Sequence, residues 1–162
     1  MPQPITATFS PLATRPLAAA SIHAAALWLW HAPFLFQATL RSEWVHAAQH
    51  LSFFGSALLF WWSLFFVQGR TNYGAGVLYL FTTAAHTGIL GALLTFSNNT
   101  WYPAYAQSTL AWGVSPLEDQ QVGGLIMWVP ASLVYIGAGL WMLALWLRES
   151  DVAAARRRYA AD

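Results

Sequence analysis

The chain has 162 residues, of which 57% are hydrophobic, 16% aromatic and only 8% charged. A soluble globular domain carries about 25% charged residues, so seven basic and six acidic residues are too few to coat a soluble particle of this size. The net charge of +1 comes without a basic stripe, so no nucleic-acid partner is expected, and the absence of cysteine excludes disulfides and thiolate metal sites. We therefore expect the lipid bilayer to surround much of the chain.

Long neutral runs follow a polar N-terminal segment, 1–16, which lacks the order of a cleaved signal peptide. No charged residue lies between Arg15 and Arg41, Glu43 and Arg70, Arg70 and Glu118, or Asp119 and Arg148. A helix needs about 20 apolar residues to cross the hydrocarbon. The runs predict an all-α, integral membrane four-helix bundle over 17–148, with spans at 17–40, 43–68, 73–96 and 116–147.

Prolines and turn residues add detail to this plan. Pro33 and Pro130 each remove a backbone donor inside a predicted span, so we expect both to kink their helices. Residues 97–115 are rich in Asn, Ser, Pro and Gly, which predicts a surface loop with its Trp and Tyr side chains in an interfacial aromatic belt. The fourth helix begins with Ser115 and Glu118 at the spacing of a capping box.

Orientation follows from the arginines, because cytoplasmic segments carry the excess of positive charge. With both termini cytoplasmic, only Arg41 lies outside. The loop 97–115 is then an outer loop, and residues 149–162 form a cytoplasmic basic tail that can contact anionic lipid headgroups. The arginines placed inside are Arg15, Arg70, Arg148, Arg156, Arg157 and Arg158.

All five histidines fall in predicted spans, where ionisable residues are costly and often mark function. At about 1.5 Å of rise per residue, His31, His50 and His86 lie roughly 10–15 Å below the outer ends of three helices. His46 is one turn shallower, and His23 lies nearer the cytoplasmic side. Any single histidine is as readily explained by packing against a carbonyl group, but several at similar depth favour a shared site.

The spacing of His46 and His50, i and i+4 on one helix, allows two imidazoles to chelate one metal ion. Imidazole suits copper, zinc, iron and nickel, and the thioether of Met127 would favour Cu(I), although core filling explains Met127 as well. The acids at the start of the fourth helix either attract a cation or simply complement the helix dipole. The predicted ligands are His31, His46, His50 and His86, with Met127, Glu118, Asp119 and His23 as further ligands or access residues.

Four motifs occur in order along the chain: WLWHAP at 28–33, HAAQHLSF at 46–53, HTGILGALLTFS at 86–97 and SPLEDQQ at 115–121. Together they resemble the CtaG family of caa3-type cytochrome c oxidase assembly factors. The resemblance implies a multi-pass protein of the bacterial plasma membrane that supplies copper to an oxidase copper centre and is not an enzyme. It falls on His31, His46, His50, His86 and residues 118–120, and family members are usually longer than this chain.

The implied partners are a cytochrome c oxidase subunit and an outer copper donor, and a homo-oligomer is also open. Two other hypotheses remain at this stage. A haem-binding membrane cytochrome would use His31 with His86, or His50 with His86, as axial ligands. A structural membrane subunit would instead bond its histidines to one another and to backbone carbonyls.

Overall fold

The computed structural model describes residues 16–68 and 73–159, and no strand occurs among them, which confirms the all-α prediction. Arg15, Arg70 and all but the last residue of the predicted segment 1–16 lie outside the described residues. The elements are α1 (Pro16–Trp30), α2 (Pro33–Thr39), α3 (Glu43–Trp62), a π-helical turn (Ser63–Gln68), α4 (Tyr73–Thr95), a 3-10 turn (Pro103–Tyr105), α5 (Ala106–Leu110) and α6 (Pro116–Tyr159).

Two of these helices, α4 and α6, are long and apolar enough to cross a membrane. The pair α1 and α2 qualifies as a third span only when the two are taken together across a bend of 77°. Helix α3 does not qualify, because His46, Gln49 and His50 lower its mean hydropathy. Length and composition of the described helices thus support two or three spans, while the four-span bundle and its orientation stay predictions.

The segment 17–40, expected as one kinked helix, is two helices joined at His31 and Ala32. Ala32 is extended, with φ −61° and ψ 131°, as expected for a residue that precedes proline. Pro33 then occupies the first turn of α2, where its missing N–H costs nothing. His31 therefore lies at the end of α1, and its depth cannot be counted along a straight helix. By contrast, α6 continues as one element through Pro130.

Glycines bring α4 and α6 into close contact. A Cβ atom added to Gly91 would lie 2.5 Å from Cβ of Trp128, and one added to Gly124 would lie 2.6 Å from Oγ1 of Thr95. Lipid tails are as apolar as leucine, so helices in a membrane associate mainly through close packing of this kind. The helices α4 and α6 are thus packed as a closely spaced pair.

A buried cluster closes the end of the bundle near the C-terminus of α3. Phe60 and Leu64 pack against Leu80 of α4 and against Tyr135 and Met142 of α6. Leu64 belongs to the π-helical turn and is 1% exposed. The turn thus directs a large side chain inward where the regular helix α3 has ended.

The loop 97–115 folds back over the start of α6 and is fixed there by one side chain. The amide oxygen of Gln120 accepts a hydrogen bond from the backbone N–H of Trp101 (2.6 Å), and its amide nitrogen donates to the carbonyl oxygen of Asn99 (3.3 Å). Gln120 is buried, so these bonds form away from bulk water and hold the loop firmly.

The predicted capping box at the start of α6 is confirmed. The Glu118 carboxylate accepts from the backbone N–H of Ser115 (2.9 Å), and the Glu118 N–H donates to Oγ of Ser115 (3.2 Å). The loop aromatics assigned to an interfacial belt differ in burial. Trp112 is 86% exposed, whereas Tyr102 is 7% exposed because its ring stacks on Phe36.

We expect Gly124→Ala to lower the free energy of unfolding by about 1–3 kcal/mol, the usual range for an overpacked site. The added Cβ would stand 3.0 Å from the backbone nitrogen of Thr95, which cannot move aside as a side chain does. Equilibrium unfolding in detergent micelles measures the change.

The matched control is Gly137→Ala on the same helix, where an added Cβ meets nothing within 4 Å. This substitution should be neutral or stabilise by up to about 1 kcal/mol, because glycine is a poor helix former. Equal destabilisation by the two variants would contradict the close approach of α4 and α6 at Gly124.

Candidate functional site

Two exposed imidazoles meet on α3. The Nε2 atoms of His46 and His50 lie 2.8 Å apart, and the ring centroids are separated by 4.6 Å. The i, i+4 spacing places both rings on one helix face, as the sequence predicted. At this distance Nε2–H of one ring donates a hydrogen bond to the lone pair on Nε2 of the other, so the two rings are opposite tautomers.

This pair has the chemistry of a bidentate metal chelate. Two nitrogens bound to one ion at about 2.0–2.1 Å would lie about 3.3 Å apart in tetrahedral geometry. The rings need to separate by only about half an ångström from the hydrogen-bonded distance to admit a cation in place of the proton. Small side-chain rotations supply this movement because both rings are exposed.

A cavity of about 560 Å³ lies between α1, α2 and α3 on one side and the N-terminal half of α6 on the other. It contains four of the eight predicted site residues: His23, His31, Asp119 and Met127. Asp119 is the only charged residue among the described residues that line it. The remaining walls are Leu27, Phe36, Phe53, Ala57, Leu94, Tyr102, Tyr105, Pro116, Gln120, Gly123 and Gly124.

His31 is held in a defined orientation at the end of α1. Its Nδ1 atom lies 2.7 Å from the carbonyl oxygen of Leu27. A carbonyl oxygen only accepts hydrogen bonds, so Nδ1 carries the proton and Nε2 carries the lone pair. The ring lies between Phe36 and Phe53, with centroids 6.1 and 6.0 Å away. A histidine whose Nδ1–H is bonded to a carbonyl is arranged as metal-binding histidines usually are.

Tyr102, which the sequence analysis did not single out as a site residue, connects the loop to His31. Its hydroxyl donates to the backbone carbonyl of His31 (2.9 Å), and its ring stacks on Phe36 at 4.1 Å. Burial, with a smaller contribution from Tyr105, raises the pKa of Tyr102 to about 12. The hydroxyl therefore remains a donor throughout the physiological pH range. Its position directly after Trp101 gave no local signal of this contact.

His23 is a packed histidine with both ring nitrogens occupied. Nδ1 lies 3.1 Å from Oγ of Ser56, and Nε2 lies 3.5 Å from the hydroxyl of Tyr135. The Ser56 hydroxyl donates its own hydrogen bond to the carbonyl oxygen of Phe53 (3.2 Å). A neutral His23 ring can therefore donate from Nδ1 to Ser56 and accept at Nε2 from the Tyr135 hydroxyl. The ring also stacks on Phe60 at 5.6 Å. This environment matches the structural interpretation of a single membrane histidine.

His86 is also engaged by a neighbour. The indole N–H of Trp28 donates to Nδ1 of His86 at 3.4 Å. No group of three or more His, Asp or Glu side chains in the described part of the chain is close enough to hold a metal ion. His31, His50 and His86, expected in one layer, are therefore not gathered into one cluster.

The two acids at the start of α6 occupy different environments. Glu118 is committed to the capping box, whereas Asp119 lines the cavity. Of the two interpretations made for this pair, the structural one describes the contacts of Glu118. Asp119 is exposed and is not part of the capping box.

The sequence of this chain is similar to one described protein family and to two mycobacterial proteins. A sequence profile of the family described as cytochrome c oxidase caa3 assembly factors matches residues 3–149. Two uncharacterised mycobacterial proteins, Mb0105 of Mycobacterium bovis and MT0111 of Mycobacterium tuberculosis, are each 26% identical over 153 residues. The match covers 92% of this chain but only 23% of each relative. No solved structure matches the chain.

We expect Tyr102→Phe to lower the free energy of unfolding by about 1–3 kcal/mol near neutral pH, because the His31 carbonyl loses its donor while the ring stacking is kept. An unfolded tyrosine titrates near pH 10, and Tyr102 titrates near pH 12. The stability that Tyr102 contributes is thus complete below pH 10 and is lost as the pH rises from 10 to about 12.

Unfolding measured between pH 8 and pH 12 should therefore give a shallower decline above pH 10 for Tyr102→Phe than for the wild type. Tyrosinate absorbance in the native state should lose its component near pH 12. Superimposable stability profiles for the two proteins would show that the hydroxyl makes no such bond.

Proposed function

The chain belongs to the family of cytochrome c oxidase caa3 assembly factors, and from that premise we propose that it carries copper on its membrane histidines to a copper centre of the oxidase. Its role is assembly rather than catalysis, since the copper is transferred and not consumed. The observation that carries the proposal is the contact of 2.8 Å between the Nε2 atoms of His46 and His50.

The chemistry of this pair suits a cargo that must be released. Imidazole nitrogens bind copper well, and Cu(I) accepts a small number of ligands. Both rings lie on an exposed face of α3 in the outer part of the predicted second span. A membrane-embedded donor or recipient subunit that contacts this face can add a further ligand and then take the ion by ligand exchange. The chain contains no cysteine, and so it has no thiolate that would retain Cu(I) more tightly.

We further propose that the chain is a four-span protein of the bacterial plasma membrane with both termini in the cytoplasm. The arginine distribution supports this orientation, and Arg156, Arg157 and Arg158 in the final turn of α6 supply half of the arginines placed in the cytoplasm. The loop 97–115 then faces outward, where an oxidase subunit or an outer copper donor can dock. Trp112, 86% exposed, is suited to that boundary.

The test is an anaerobic titration of the detergent-purified protein with Cu(I) against a coloured chelator. A His46→Ala, His50→Ala double variant should lose at least about tenfold in its affinity for the copper ion bound at the pair. Substitutions of residues that only support metal ligands already lower metal affinity by about tenfold. The matched control is Ser52→Ala on the same helix, which removes only a hydroxyl bonded to the Gln49 carbonyl.

Unaltered copper binding by the double variant, with helix content equal to that of the wild type by circular dichroism, would refute the pair as the copper carrier. A Soret band in the purified wild type would instead support the haem-binding alternative.

A further inference from the structure

We propose that the cavity between α1 and α6 holds a second Cu(I) site, formed by Nε2 of His31 and the thioether of Met127, with Asp119 providing the balancing charge. The inference rests on the proposed function for the identity of the cargo, but it does not depend on the His46–His50 pair. Both ligands line the same cavity, from helices on its opposite sides.

His31 supplies the first ligand. Its Nδ1 proton is committed to the Leu27 carbonyl, so the atom left with a lone pair is Nε2. Tyr102 fixes the backbone of the same residue through a bond of 2.9 Å to its carbonyl oxygen. Metal-binding histidines depend on such bonds for tautomer and ring orientation. His23, the other histidine in the wall, has protein partners at both nitrogens.

Met127 supplies the second ligand. Buried methionines usually fill irregular gaps in a core. Here the half-buried Met127 borders an open volume of about 560 Å³, so its side chain adjoins space that an ion can occupy. One turn earlier, Gly123 presents no side chain, and an added Cβ there would meet nothing within 4 Å. The thioether therefore lies beside free space on α6.

The charge of the wall determines which ion fits. Asp119 is the one charged residue in the described lining, and no arginine or lysine accompanies it. An anionic group such as a haem propionate or a phosphate would find no counter-charge there. Asp119 is itself exposed, so its carboxylate stays hydrated while it attracts a cation towards the cavity. A monovalent cation has less charge to transfer into the apolar part of the cavity than a divalent one. A soft thioether beside an imidazole selects Cu(I) among such cations.

Stoichiometry and X-ray absorption of the Cu(I)-loaded protein test this site. The wild type should bind two Cu(I) ions per chain, and the His46→Ala, His50→Ala variant should bind one. Copper bound to that variant should show a sulfur neighbour, which should disappear when Met127→Leu is added. Leucine conserves the volume of methionine, so the substitution removes the sulfur with little change in packing.

Met142→Leu in the same background is the matched control. Met142 is 1% exposed in the cluster around Leu64 and does not line the cavity, so the sulfur signal should be unchanged. A His31→Gln variant in this background should also lose the remaining copper.

The outcomes separate the two copper sites. A single copper that vanishes with the His46–His50 pair would overturn the cavity site and leave the proposed function standing. Sulfur-bound copper that is lost with Met127, together with a pair that binds none, would support the cavity site and overturn the role of the pair. A sulfur signal that survives Met127→Leu would overturn the cavity site.

Discussion

The hydrogen bond from the Tyr102 hydroxyl to the His31 carbonyl fixes the junction between α1 and α2, and the rest of the cavity depends on that junction. A helix that ends leaves carbonyl groups without partners, and lipid offers none. Pro33 ends α1 at Trp30. The hydroxyl of Tyr102, in the loop that follows α4, then donates to the free carbonyl of His31, 71 residues away in sequence. The bend of 77° then places Phe36 of α2 in the wall of the cavity. Without this bond the loop, α2 and His31 would lose their common anchor.

The two sides of the cavity are built from different contacts. On the α6 side, Gly91 and Gly124 bring α4 and α6 so close that a single added methyl group would clash. On the α1 side, Phe36 of α2 stacks on Tyr102 at 4.1 Å and lies tilted to Tyr105 at 5.8 Å. Backbone packing thus sets the position of the α6 wall, whereas contacts between aromatic side chains set the position of the α1 wall.

Features that depend on neighbouring residues were predictable from the sequence. The neutral runs indicated helices, Ser115 and Glu118 indicated the capping box, and the spacing of His46 and His50 indicated a facing pair. Proline also marked the position of the break, although not its angle or the new helix that starts at Pro33. The all-helical architecture followed from the same local patterns.

Contacts between distant segments could not be read in this way. Counting residues along straight helices placed His31, His50 and His86 at one depth, but depth does not determine rotation about the helix axis. Rotation turns His86 towards Trp28, 58 residues away in sequence. Likewise, the aromatic residues of the loop predict an interfacial belt, but nothing in the loop indicates that Tyr102 stacks on Phe36 and bonds to His31. The burial of Tyr102 depends on the angle between α1 and α2, which Pro33 alone does not specify.

The copper content of the oxidase itself tests the account most directly. In cells that contain both the chain and a caa3-type oxidase, the chain would be replaced by its His46→Ala, His50→Ala variant, and the oxidase purified for metal and haem analysis. The account predicts a lower ratio of copper to haem, with the haem content and the membrane level of the variant chain unchanged. An oxidase with its full complement of copper in those cells would contradict the proposal that this chain carries copper on its histidine pair.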